Sequence, residues 1–190
     1  TIRNFARALQ KADVGVFFYA GHGLQVGRQN YLVPIDARLE DETGLDFEMV
    51  RLDLVHKTME RETKTNILFL DACRDNPLSR NLARAMGTRS PSIGQGLAPV
   101  QSGHGTLIAY STQPDNVAVD GAGRNSPFTD AFVKRAKAAE GVDLSAVLID
   151  VRNDVMAATN KKQVPWEHSA LTARFYLAPE VSKPRPQNYY

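Results

Sequence analysis

The chain has 190 residues, and its 43% hydrophobic content is typical of one globular domain rather than of a disordered segment. Its 23 basic and 21 acidic side chains leave a formal net charge of +2, which argues against an obligate nucleic-acid binder. The longest apolar run, Val14 to Ala20, is far shorter than the ~20 residues of a membrane-spanning helix. We therefore expect neither nucleic acid nor a membrane as a partner, while localisation and oligomeric state stay open.

Cys73 is the only cysteine in the sequence. A lone thiol excludes an intrachain disulfide and any multi-cysteine zinc or iron–sulfur site. Two interpretations remain for it, an inert buried thiol or a nucleophile.

The first predicted elements are a helix and a strand. The opening segment places its apolar residues on one helical face, namely Ile2, Phe5, Ala6 and Leu9. Residues 13–19 then form a short apolar run, typical of a strand buried on both faces, which ends at Gly21-His22-Gly23. An acidic connection over residues 36–48, with Thr43 and Gly44 as turn residues, leads to a helix that carries Leu52, Val55 and Met59.

Two further buried strands follow, separated by a long loop. Residues 66–70 form an apolar run that leads directly into Asp71-Ala72-Cys73-Arg74. Residues 76–105 are rich in turn residues and predict a long loop, which in a compact domain is usually functional or mobile. The third apolar strand is predicted over residues 106–110.

The last part of the chain predicts two capped helices and a strand. Ser126-Pro127 and Asp143 are helix starts, and the second helix carries one apolar stripe: Leu144, Val147, Leu148, Val151 and Val155. A strand is expected over about residues 171–177, and residues 179–190, with three prolines, resemble a tail or linker. Strands that alternate with helices predict an α/β fold with a mostly parallel sheet and helices on both faces.

The residues that end two of these strands are chemically useful. In an open α/β sheet, ligands bind outside the carboxyl ends of the strands, so His22 and Cys73 would emerge at one edge if their strands are neighbours. A histidine can act as the base or cationic neighbour that a thiol needs to become a nucleophile. The flanking glycines would let a substrate approach the backbone closely. A structural cysteine and a turn histidine remain the alternatives.

Four segments in order, FFYAGHG, NYLVP, ILFLDACRDNP and LIAYST, resemble the catalytic core of caspase-like cysteine peptidases. The similarity covers about residues 5–177 and is greatest to the bacterial metacaspase and paracaspase branch. The resemblance implies a three-layer sandwich over residues 1–178 and a cysteine endopeptidase that needs no metal or organic cofactor. It also implies a catalytic dyad of His22 and Cys73, with the amides of Gly23 and Cys73 as the oxyanion hole.

The resemblance also predicts specificity for basic substrates. Where caspases have glutamine, this chain has Asp71, and in metacaspases and paracaspases an aspartate at that place helps to line a pocket for arginine or lysine. A partly buried carboxylate would hold a guanidinium by charge-assisted hydrogen bonds. The alternative is that Asp71 caps a local turn or pairs with Arg74.

Further substrate-binding candidates follow the third strand. Asp115 and Asp120 are additional acidic residues for the pocket. Tyr110, Ser111, Thr112 and Gln113 resemble the family's substrate strand, which pairs with an extended peptide. An ordinary strand end is the alternative interpretation of this segment.

Two features concern processing. Family domains normally begin with two strands and a helix before the helix at Ile2, so we expect that the N-terminal strands are missing and that the chain is a fragment or a processed form. The long loop carries Arg80, Arg84 and Arg89, and self-cleavage after one of them is our hypothesis. A solvated helix around residues 82–86 with surface arginines is the alternative.

The other polar clusters predict no cofactor site. His56, His104 and His168 lack the spacing of metal ligands, and the acidic stretch lacks the alternating oxygen ligands of a calcium loop, so we expect a solvated connection. No phosphate-binding glycine loop is present. Two other functions stay open: a catalytically silent interaction module, and a non-proteolytic thiol hydrolase.

Overall fold

A computed structural model describes residues 2–73, 82, 93–94, 97–100, 103–113, 118, 121 and 123–180. Over these residues the helices are α1 (Ile2–Leu9), α2 (Thr43–Phe47), α3 (Leu52–Glu62), α4 (Pro127–Lys137) and α5 (Leu144–Ala158). The strands are β1 (Val14–Val26), β2 (Gln29–Leu32), β3 (Val50–Arg51), β4 (Thr65–Cys73), β5 (Ile93–Gly94), β6 (Thr106–Tyr110) and β7 (Trp166–Ser169). None of the helices in these ranges is long and apolar enough to cross a membrane.

The strands form an open sheet in the order β3-β2-β1-β4-β6-β7, with β5 paired to β1. The three central strands, β1, β4 and β6, are parallel, while β2, β3, β5 and β7 pair antiparallel at the margins. The parallel centre is the part of the sheet that the alternation of strands and helices predicts.

The central strands separate two cores because successive side chains of a strand point to opposite faces. Ile67 and Phe69 of β4 pack with α4 and α5, in a cluster that includes Phe128 and Val151. Leu68 and Leu70 point the other way and pack with α1 and α3. The predicted α/β fold, with helices on both faces of the sheet, is therefore confirmed.

Both C-terminal helices begin where the sequence predicts. The Ser126 hydroxyl accepts a hydrogen bond from the Thr129 amide, and an Asp143 carboxylate oxygen accepts one from the Ser145 amide. Between the two helices, Arg135 donates to Asp154 at 2.6 Å, and this contact, with that of Lys134, lowers the pKa of Asp154 to about 2. The apolar stripe of α5 is buried against the sheet.

The expectation that the first strand is buried on both faces is wrong. Val14, Val16 and Phe18 of β1 are 38%, 47% and 43% exposed. The helices α4 and α5 cover β4 and β6 on this face, and only the ring of Phe18 reaches their core, 6.5 Å from the ring of Phe132. The apolar run therefore belongs to a strand that lies at the margin of the covered face.

The last strand is also placed differently from the prediction. It spans Trp166–Ser169 and pairs with β6, whereas residues 171–177 form no extended strand. Leu171, Phe175 and Leu177 pack against the core beneath α4 and α5. Helix packing rather than sheet pairing thus explains the apolar pattern of that segment.

Two connections hold more regular structure than expected. Thr43 and Gly44 begin helix α2 instead of forming a turn, because the Asp41 carboxylate accepts hydrogen bonds from both of their amides. In the predicted loop over residues 76–105, Ile93–Gly94 pairs with β1, and Leu82 is helical and fully buried. The arginines of that loop lie outside the described residues.

Candidate active site

His22 and Cys73 occupy paired positions on neighbouring parallel strands. The register joins Ala20 to Asp71 and His22 to Cys73, the last pair of the β1–β4 ladder. Neighbouring strands lie about 4.8 Å apart, so the two backbones are in direct contact at the carboxyl end of the sheet. The topology thus brings together the residues that the sequence selects as nucleophile and base.

The glycines on either side of His22 are required by space. A Cβ atom at Gly21 would lie 2.7 Å from the Tyr19 hydroxyl. At Gly23 it would lie 3.0 Å from a Leu97 methyl group and 3.2 Å from the Ala72 Cβ. Besides the predicted approach of a substrate, close packing beneath the histidine requires these glycines.

Asp71 is 4% exposed and is held by the start of helix α4. Its Oδ2 atom accepts hydrogen bonds from the hydroxyls of Ser126 and Thr129. Its Oδ1 atom is buried and has no hydrogen-bond partner among the described residues. These contacts join distant parts of the chain, so Asp71 does not simply cap a local turn. Pairing with Arg74 falls outside the described residues.

A cavity of about 430 Å³ contains both His22 and Asp71. Ala20 and Gly21 form one wall, and residues 123–126 with Thr129 form the other. Asp71 is buried whereas His22 and Arg124 are exposed, so the carboxylate lies at the floor and the other two lie at the mouth. A buried carboxylate that lines a cavity, with one oxygen that no described residue contacts by a hydrogen bond, is suited to bind a cationic group there.

Sequence reasoning did not include Ser126 and Thr129 in the site. Ser126 is identified from the sequence only as a helix cap, a role that it does fill. No local pattern shows that its hydroxyl also contacts a carboxylate on β4. An aspartate at the end of a buried strand, together with hydroxyl residues at a helix start, is the sequence feature that could have indicated this contact.

The described residues of the predicted substrate strand lie apart from this cavity. Tyr110, Ser111 and Thr112 line a separate small cavity with Leu97. Burial raises the pKa of Tyr110 to about 12, and its hydroxyl accepts a hydrogen bond from the Val100 amide. Ser111 is bonded through both backbone groups, to the Leu70 carbonyl and the Gln163 side chain. The substrate-strand role of these residues stays a prediction, and Asp115 and Asp120 lie outside the described residues.

Within the described ranges, no three histidine, cysteine, aspartate or glutamate side chains are grouped as metal ligands. The acidic stretch instead makes local contacts. Glu48 accepts hydrogen bonds from the amides of Arg38 and Leu39, and these bonds lower the pKa of its carboxyl group. Absence of a cofactor stays an expectation from the proposed chemistry.

The fold and the cavity together define an α/β protein with a histidine and a cysteine at the carboxyl edge of a parallel sheet. The caspase domain family matches residues 1–176, and the chain belongs to this family of cysteine peptidases. A solved structure, caspase-1 from Spodoptera frugiperda, is similar with a TM-score of 0.59 and 18% identity, covering 96% of this chain and 71% of that one. That likeness supports the fold. No curated protein sequence matches.

Proposed function

We propose that this chain is a cysteine endopeptidase that cleaves peptide bonds after arginine or lysine. The observation that carries the specificity is the buried Asp71 carboxylate, which lies in the same cavity as His22 and has one oxygen with no partner among the residues that the structure describes. The register between His22 and Cys73 supports the dyad.

In the proposed reaction, His22 takes the proton of the Cys73 thiol, the sulfur attacks the carbonyl carbon of the scissile bond, and the carbonyl oxygen becomes an oxyanion. The amides of Gly23 and Cys73 stabilise that charge. The carbon–nitrogen bond then breaks, His22 protonates the leaving amine, and a thioester remains on Cys73. His22 next takes a proton from water, whose oxygen attacks the thioester and releases the acid product and the thiol.

Asp71 supports the choice of a basic substrate through charge and burial. Entry of an arginine or lysine side chain would give its Oδ1 atom a charge-assisted hydrogen bond, whereas an aspartate would place two carboxylates together. Arg124 places a positive charge at the mouth of the cavity, so the acidic part of the site is its floor, where Asp71 lies. Together with the resemblance of the four sequence motifs, this preference supports a place in the metacaspase and paracaspase branch, and the motifs resemble its bacterial form.

Self-processing is part of the same proposal. Arginines at positions 80, 84 and 89 follow the nucleophile in the sequence and match the proposed specificity. Cleavage there would be the same reaction applied to the chain itself.

Fluorogenic peptides that end in Arg, Lys or Asp test the proposal. We expect turnover of the first two by the wild type and none of the third, because Asp71 would repel an acidic side chain. Cys73→Ala and His22→Ala should abolish turnover while circular dichroism shows that they stay folded. A folded wild type without turnover would favour the silent interaction module, and a preference for Asp would remove the role given to Asp71.

A further inference from the structure

The Tyr19 hydroxyl lies at the centre of a small hydrogen-bond network beneath His22. It is 2.6 Å from the His22 carbonyl oxygen and 3.0 Å from the Val33 carbonyl oxygen. It also accepts a hydrogen bond from the Val33 amide at 3.1 Å. The same amide lies 3.0 Å from the His22 carbonyl oxygen, so the three groups contact one another.

This network is placed where strand β1 changes its partner. His22 makes the last parallel pair with β4, opposite Cys73, and the next residue, Gly23, pairs antiparallel with Leu32 of β2. A strand that passes from one partner to another has no single ladder to fix its path at that point. Because the Tyr19 hydroxyl contacts both His22 and Val33, it connects the two ladders at the histidine.

The Tyr19 hydroxyl occupies the space that a side chain at Gly21 would need. A Cβ atom at this position would lie 2.7 Å from the Tyr19 oxygen and 3.0 Å from its ring carbon Cζ. Glycine therefore leaves room for the tyrosine to reach the backbone of His22. Burial also raises the pKa of Tyr19 above its ordinary value, so the hydroxyl keeps its proton at neutral pH.

We infer that Tyr19 is a positioning residue for the proposed reaction: its hydroxyl fixes the backbone of His22 and thereby holds the imidazole beside Cys73. The inference rests on the proposed function of the His22–Cys73 pair. It assigns Tyr19 no contact with substrate, so its removal should lower kcat and leave KM for an arginyl peptide unchanged.

The rate of alkylation by iodoacetamide tests the inference without a substrate, because Cys73 is the only thiol. We compare rates at pH 6.5 and pH 9.5 for the wild type and for Tyr19→Phe, His22→Ala and Tyr31→Phe. At pH 9.5 a free thiol is mostly ionised, so all four proteins should react alike, which controls for access. At pH 6.5 we expect Tyr19→Phe and His22→Ala to react about tenfold more slowly than the wild type, since the thiolate loses its partner.

Tyr31→Phe is the matched control. Tyr31 is a buried tyrosine of the neighbouring strand β2, it packs in a separate apolar cluster, and burial raises the pKa of its hydroxyl as well. Its variant should keep the wild-type rates at both pH values. If it slows alkylation at pH 6.5 as much as Tyr19→Phe does, the effect is general loss of a buried hydroxyl and the inference is overturned.

The outcomes distinguish a failure of the role inferred for Tyr19 from a failure of the proposed His22–Cys73 dyad. A normal rate in His22→Ala at pH 6.5 would contradict the dyad itself. A slow His22→Ala with a normal Tyr19→Phe would overturn the role of Tyr19 alone. A lower melting temperature in Tyr19→Phe with unchanged alkylation rates and kcat would mean that the hydroxyl is merely structural.

Gly21→Ala is a second variant, for the case that Tyr19→Phe does not fold. Its Cβ displaces the hydroxyl instead of deleting it, so it should slow alkylation at pH 6.5 in the same direction. A wild-type rate in folded Gly21→Ala would then overturn the inference.

Discussion

The proposed specificity depends on a single residue, Asp71. Its carboxylate is removed from solvent, and within the described part of the chain hydroxyl groups satisfy one of its two oxygens and nothing satisfies the other. A buried polar atom without a partner is costly to a folded protein, and a cationic ligand would supply the missing bond at a carboxylate that lines a cavity. This cost is the physical argument for a cationic substrate group in the cavity.

Replacement of Asp71 by asparagine should separate recognition from folding. The amide keeps the shape of the side chain and an oxygen for the two hydroxyls but loses the charge. We expect kcat/KM for arginyl peptides to fall about a hundredfold, which corresponds to the 2–3 kcal/mol of a hydrogen bond between charged groups. Steady-state kinetics measure this change.

The control for this variant is Asp154→Asn, which removes a negative charge from the contact between α4 and α5. Asp154 does not line the cavity that contains Asp71. It should leave kcat/KM unaltered. Equal losses in both variants, or no loss in Asp71→Asn, would contradict the pocket.

At the scale of elements, the start of helix α4 combines a structural and a functional role. The Ser126 hydroxyl accepts from the Thr129 amide and donates to Asp71, so one side chain both caps the helix and holds the floor of the cavity. Helix α5 has a comparable cap in Asp143, which likewise makes one further hydrogen bond, accepted from the Phe175 amide, and lies apart from the site. The two caps therefore form a matched pair for experiment.

Ser126→Ala and Asp143→Ala should have similar effects on stability and different effects on activity. Each removes a cap and should lower the free energy of unfolding by about 1 kcal/mol, as urea titration would measure. Only Ser126→Ala should raise KM for an arginyl peptide, by several-fold, because it leaves the Asp71 carboxylate held by Thr129 alone. A raised KM in both variants would show that loss of stability, rather than the contact with Asp71, causes the effect.

Over the whole molecule, the sequence predicts the parts of the fold that have a local signal. The buried strands β4 and β6 and the capped helices α4 and α5 are recognisable because their apolar spacing and end residues are contiguous in the chain. The strands at the margins of the sheet cannot be recognised in this way, because β5 and β7 are short and are defined by partners far away in sequence. The exposure of β1 also depends on how far α4 and α5 extend across the sheet.

The candidate site also contains some residues that the sequence predicts and others that it does not. His22, Cys73 and Asp71 follow from motifs at the ends of two strands, and the register then places them at one edge. Ser126, Thr129 and Tyr19 could not be assigned from the sequence, because their roles depend on contacts made after folding. Membership in the caspase domain family does not by itself assign a role to any of these residues, so the roles of both sets stay proposals.

Covalent labelling tests the central claim, that Cys73 is the nucleophile of a site that selects basic residues. A peptidyl-arginine chloromethyl ketone should add its mass to the peptide that contains Cys73 when the wild type is digested and measured by mass spectrometry. The aspartyl analogue should label at least about tenfold more slowly, because Asp71 disfavours a second carboxylate. Failure of the folded wild type to react at Cys73, or equal labelling by the two reagents, would contradict the account.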